Sequence, residues 1–169
     1  MNNDTNPRRR GGNKKRGRGG RGGPGKGPRG KPDSRGDARK PRGPSARAIA
    51  ARVVRGTLEG RGAARTLLDR ALEEAAEKGQ SLRVGLMTEL VYGTIRNLAT
   101  LDLLLDACAK KGLRKVEDSV LAHLRIAAYQ LVFLDNVPAA IAVNEAVSAV
   151  GVRSHVRGFV NGVLRKLGR

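Results

Sequence analysis

An all-α architecture, seven helices in one bundle behind a basic Gly/Arg-rich tail, follows from three properties of the 169-residue sequence. From Ser45 onward apolar residues recur at helical spacing, and no convincing strand alternation interrupts them. Glycine or proline punctuates several of these runs, and the gaps between runs are short. The composition also breaks sharply at Pro44.

Residues 1–44 hold 15 of the 34 Lys and Arg, 12 of the 23 Gly and 6 of the 7 Pro, with Asp4, Asp33 and Asp37 as their acids. Met1 and Ala38 are their apolar residues. Such a segment cannot bury enough surface to offset its backbone entropy, so it is expected to be disordered. Within it Arg18-Gly19-Gly20-Arg21-Gly22-Gly23 is an RGG-type repeat. Arg18 and Arg21 are candidate RNA contacts, of the kind that follow a nucleic-acid backbone by charge without reading sequence. The stretch from Gly25 to Lys31 has the spacing of a phosphate-binding loop. Pro32 stands where that loop needs a Ser or Thr for magnesium, and neither strand nor helix flanks it, so the match is a chance one.

Residues 45–169 carry 19 basic and 12 acidic residues and are long enough for one ordinary domain with a core. The first helix is expected from Ser45 to Glu59, with Ile49, Ala50, Val53, Val54 and Leu58 inward and Arg47, Arg52 and Arg55 on the opposite side. The second runs from Ala63 to Glu77 along Ala64, Leu67, Leu68, Ala71, Leu72 and Ala75, and Gly79 stops it. The third spans about Ser81 to Arg96, with Leu82, Leu86 and Leu90 in register. Leu98, Leu101, Leu104, Leu105 and Cys108 mark the fourth, which runs into Lys110-Lys111-Gly112, a basic last turn and a glycine stop.

The fifth helix, Glu117 to Leu134, is apolar nearly all round, which predicts the buried centre of the bundle. Arg125 interrupts it and would be costly if buried unpaired, so Glu89 or Glu145 is its expected partner. Pro138 separates the run ending at Leu134 from a sixth helix, in which Ala140, Val143, Asn144 and Val147 share one face. That spacing points Asn144 at the core. Gly151 ends this helix, and Ser154 is the expected cap of the seventh, whose stripe is Val156, Phe159, Val160, Val163, Leu164 and Leu167. Arg157, Asn161 and Arg165 run beside that stripe. Asn144 and Asn161 are read as structural amides bonding to a neighbouring turn. Gly158 and Gly162, one turn apart, leave a flat strip that another backbone could approach closely.

Several functional classes are excluded by what is missing. No strand–loop–helix unit for a nucleotide cofactor is recognisable, and no cofactor is expected. His123 and His155 are far apart in sequence, without carboxylate partners or metal spacing, so no catalytic residue and no metal site is assigned. Cys108 is the one cysteine, which excludes an internal disulfide. No apolar run approaches the length of a membrane span and no signal-type apolar segment follows the basic start, so the expected location is the cytoplasm. Only Tyr92, Tyr129, Phe133 and Phe159 are aromatic, too few for a base-stacking sheet. What remains is binding, and guanidinium groups suit phosphate. Arg47, Arg52 and Arg55 are therefore the candidate RNA contacts of the folded part.

The combination of Val137-Pro138, Ala142-Val143-Asn144-Glu145-Ala146 and Phe159-Val160-Asn161-Gly162-Val163-Leu164 resembles the NusB fold family. That family includes transcription antitermination factors and the N-terminal domain of an RsmB-type ribosomal RNA cytosine methyltransferase. The resemblance covers nearly all of residues 45–169. Glu89-Leu90-Val91-Tyr92-Gly93-Thr94-Ile95-Arg96, Leu101-Asp102 and Val163-Leu164-Arg165 lean towards the methyltransferase branch, and Leu124-Arg125-Ile126-Ala127-Ala128-Tyr129-Gln130-Leu131 is close to both. It implies a seven-helix bundle that binds RNA, either a boxA-like leader or ribosomal RNA, without being an enzyme. In the antiterminators the arginine-rich first helix helps hold that RNA, with a NusE-type ribosomal protein and the transcription machinery as partners. Arg47, Arg52 and Arg55 are the positions that could inherit the role. The expected function is thus transcription antitermination or regulation of ribosomal RNA synthesis. The alternative is a stand-alone RNA-positioning domain of the methyltransferase, without its catalytic domain.

Overall fold

The computed structural model describes residues 43–169. The expectation for the tail, with Arg18 and Arg21, falls outside them. Seven helices and no strand occur among the described residues: α1 (Ala46–Leu58), α2 (Ala64–Glu77), α3 (Val84–Arg96), α4 (Leu98–Cys108), α5 (Asp118–Phe133), α6 (Ala139–Ala149) and α7 (Ser154–Leu167).

Local chemistry sets several of the boundaries. The Ser45 hydroxyl accepts the Ala48 N–H at 3.3 Å and so satisfies one orphan donor at the start of α1. Asn97 is the single residue between α3 and α4, and its side-chain amide donates to the Gly93 carbonyl at 2.8 Å, beside the bond that carbonyl already accepts from the Asn97 backbone N–H. Gly79 and Gly151, with φ of 64° and 87°, turn the chain just past the ends of α2 and α6 in a region that side chains disfavour. Pro138 stands immediately before α6, where its missing N–H costs nothing. The start of α7 differs from expectation: Ser154 is its first residue, and Arg153 occupies the cap position without a side-chain cap bond.

α5 is the centre, packing against α1, α3, α4, α6 and α7. Leu124 and Ala128 on α5 are fully buried, with Val54 of α1, Met87, Leu90 and Val91 of α3, Leu101 and Leu105 of α4, and Val160 and Leu164 of α7. Each of these valine, leucine and methionine side chains contributes about 1.5–3 kcal/mol relative to an exposed one. One contact dictates a residue type. A Cβ on Gly93 would overlap the Tyr129 ring, so glycine here lets α3 and α5 approach.

Two expectations about the interior are corrected. The buried positions of α6 are Ala142, Val143 and Ala146, whereas Ala140 and Asn144 are exposed. Asn144 is therefore not an interior latch. Alanine-rich α6 has small residues on several sides, and its close approach to α5 selects the Ala142–Ala146 face. Arg125 pairs with neither Glu89 nor Glu145. Its Nε and Nη2 donate to the two carboxylate oxygens of Asp102 on α4, each at 2.7 Å. This is a two-pronged charge-assisted pair, with the Arg125 side chain only 14% exposed.

Candidate nucleic-acid interface

The three arginines of α1 do not share one environment. At about 100° per residue, Arg55 and Arg52 lie roughly 80° and 140° around the helix from Arg47. Ala48, Arg52, Arg55 and Glu59 fall in the sector between them, away from the buried Ile49, Ala50, Val53 and Val54. Arg52 is the most open, 51% exposed, with one guanidinium nitrogen 3.4 Å from Glu74 of α2. Arg55 is half-buried, its Nε 3.6 Å from the Glu59 carboxylate. That separation is too long for a hydrogen bond, and Nε is left buried without a hydrogen-bond partner. A guanidinium carries five N–H donors, so both residues keep donors for a phosphate beside their carboxylate contact.

Arg47 lies instead at the seam of α1 with α5 and α6. Its Nε donates to the Gln130 side-chain oxygen at 2.6 Å, and the Gln130 amide donates to the Ile126 carbonyl at 3.0 Å. Gln130 is thus a buried amide with both ends satisfied, and it holds the arginine head in place. On its outer side Arg47 borders a cleft of about 550 Å³ shared with Arg83, Glu89, Asn136, Pro138 and Ile141. Arg83 immediately precedes α3, so its charge and the first turn of that helix face the same opening. Sequence reasoning passed over Gln130, which lies inside a quoted motif, and Arg83, whose signal was a lone cation before a helix start.

Tyr129 and Glu89, each from a quoted motif, are engaged with one another. The Tyr129 hydroxyl donates to the Glu89 carboxylate. Burial, followed by that bond, pushes the phenol up to about 12. His123, half-buried on α5, is pushed below its ordinary value by burial and, second, by the Arg55 charge. Asn161 on α7 is half-buried. No group of three or more His, Cys, Asp or Glu positioned to hold a metal occurs among the described residues. No helix among them is long and apolar enough to cross a membrane.

Sequence and structure comparisons agree with this architecture. The sequence model of the NusB family matches residues 43–169. A probable ribosomal RNA small subunit methyltransferase B of Bacillus subtilis is 42% identical over 87 residues, which is 50% of this chain and 19% of that protein. A putative methyltransferase of Mycobacterium tuberculosis is 34% identical over 138 residues, 80% of this chain and 29% of its own length. The chain thus spans less than a third of the length of these methyltransferases. The transcription antitermination protein NusB of Xanthomonas oryzae pv. oryzae is 36% identical over 77 residues, 44% of this chain and 49% of that one. Among solved structures, T. maritima NusB superposes with a TM-score of 0.62 at 20% identity, covering 73% of this chain and 87% of that one. Seven helices in this arrangement, with a family match running across every described residue, place the chain in the NusB family.

Proposed function

We propose that this chain is a non-catalytic RNA-binding domain of the NusB type that engages RNA of ribosomal origin in the cytoplasm. The observation that carries the reading is the open sector of α1. There Arg52 and Arg55 keep guanidinium donors for phosphate, and Arg47 is fixed at the edge by Gln130 beside the Arg83 cleft. The basic segment 1–44 adds affinity for any RNA by counterion release, whereas the helix-borne arginines have fixed spacing and contribute to choosing among RNAs.

Two settings suit this activity. Positioning small-subunit ribosomal RNA for a methyltransferase is supported by the relative that aligns with 80% of this chain, which carries a methyltransferase name. Transcription antitermination, with a boxA-like leader RNA and a NusE-type partner, is supported by the antitermination relative over 44% of the chain. Fluorescence anisotropy across a salt series tests both, using the full chain with a small-subunit ribosomal RNA fragment, a boxA-like RNA and a scrambled RNA. The expected result is preference for one natural RNA over the scrambled one. Arg52→Ala with Arg55→Ala should erase that preference while leaving most of the salt-dependent affinity. An intact protein that binds all three RNAs equally sinks the proposal.

A further inference from the structure

A second surface lies away from α1 and takes no part in the function above. Between the C-terminal turn of α4, the 109–117 connection, the start of α5 and the outer side of α7 runs an open groove of about 730 Å³. Its apolar surface comes chiefly from half-buried Val116, Val156 and Phe159 and the Cys108 thiol, over the nearly buried Val120 and Val163. Gly158 and Gly162 also line it, and a Cβ added at either would meet nothing within 4 Å. They form an open strip of bare backbone one helical turn long on the exposed side of α7.

The polar border of this groove has one predominant sign. Lys110, Lys111 and Lys115 line it, all exposed, and no carboxylate forms an ion pair with them among the described residues. Lys166 also borders it, with its ammonium donating to the Ala107 carbonyl at 2.9 Å and so capping the end of α4. Glu117 is the one acid in the lining, and Arg153 holds both its oxygens at 2.8 and 3.0 Å. Its charge is therefore already compensated.

We infer that this groove is a docking site for an acidic amphipathic helix of a partner protein. Its apolar face would lie on Val116, Val156 and Phe159 against the Gly158–Gly162 strip, and its flanking carboxylates would meet Lys110, Lys111 and Lys115. Charge complementarity selects this occupant. Segment 1–44 carries the same sign as the rim and is not the ligand. An RNA strand would match the lysines, but the surface beneath them is aliphatic with one phenylalanine and offers no row of aromatic platforms for bases. A helix laid in an apolar groove reads as anchors at i, i+3, i+4 and i+7, and a strip without Cβ atoms lets its backbone come close.

The test uses the full chain and a short synthetic helical peptide with leucines along one face and glutamates on its flanks. A second peptide has lysines in place of the glutamates. Anisotropy of the labelled peptides is measured for three proteins: the parent, Lys110→Glu with Lys111→Glu and Lys115→Glu, and Gly158→Leu with Gly162→Leu. Thermal melts confirm that each folds, and the glycine pair has open space to fill. The parent should bind the acidic peptide and reject the basic one. Reversing the three lysines should weaken the acidic peptide about tenfold or more. The leucine pair should weaken it as well while leaving RNA affinity unchanged. Equal affinity in all three proteins would mean that the basic tail alone attracts the peptide, and the inference falls. It falls too if a polyuridine oligonucleotide loses affinity for the leucine pair, which makes the groove an RNA site. A concentration-dependent dimer abolished by the leucine pair would overturn it in favour of a second copy of this chain.

Discussion

The α1–α2 flank and the α4–α7 groove are both rich in cations, but they hold them differently. On the flank nearly every arginine has a carboxylate of its own chain: Arg52 and Arg70 share Glu74, Arg55 and Arg61 share Glu59, and Arg65 faces Asp69. Around the groove Lys110, Lys111 and Lys115 stand over an apolar surface without such neighbours among the described residues. Arginine can serve an internal carboxylate and still present donors outward, because its fork has more N–H groups than one carboxylate engages. Lysine heads without partners keep their full hydration and mark where a foreign anion would be welcome. The difference separates charge that shapes the domain from charge that remains available to a partner.

That contrast can be broken most decisively at Arg125. It is the most enclosed paired cation, and Arg125→Ala leaves Asp102 unpartnered beside the core. Urea denaturation should show a loss of about 2 kcal/mol, the scale of charge-assisted hydrogen bonds, since Asp102 keeps part of its hydration. Lys115→Gln, at an exposed cation without an ion-pair partner among the described residues, should stay within about 0.5 kcal/mol of the parent. Similar losses for both would erase the distinction between paired and available charge.

A smaller effect, of opposite sign, is expected in the groove. Gly158→Ala adds a Cβ into open space on a helix, so α7 should gain about 1 kcal/mol from helix propensity, read as a raised melting temperature. A loss at Gly158 would mean that the strip is already covered by packing, contrary to its role as an unoccupied surface.

The mildest difference concerns His123, on the arginine side of the molecule. Burial and the Arg55 charge hold its folded value below the ordinary 6.5. The unfolded chain therefore takes up the proton first as pH falls. Stability is fully present above about 6.5 and is lost as pH drops from there towards the folded value. His123→Gln should flatten this part of the stability–pH curve. An unchanged slope in the variant would show that the imidazole contributes nothing to the acid sensitivity of the α1–α5 seam.

Helix number, order and approximate ends were legible from the amino acids, because apolar spacing and Gly, Pro and Ser punctuation are local signals. All seven helices lie where the spacing put them, to within a few residues, and central α5 was marked by its nearly continuous apolar surface. Rotations and partners were not legible. A helical wheel gives a side chain's direction about its own axis and nothing about what stands opposite. For Arg125 the pattern suggested Glu89 or Glu145, and the placement of α4 against α5 supplied Asp102 instead. In α6, alanines on several sides made more than one inward face available, and docking on α5 left Asn144 outside. Arg47, Arg52 and Arg55 could be grouped from their spacing, but the crossing of α5 committed the first to Gln130 and α2 met the second with Glu74. The lysine-rimmed groove has the same origin. Lys110, Lys111, Lys115, Gly158 and Gly162 belong to segments more than forty residues apart in sequence, and packing α7 beside α4 turns them into one surface.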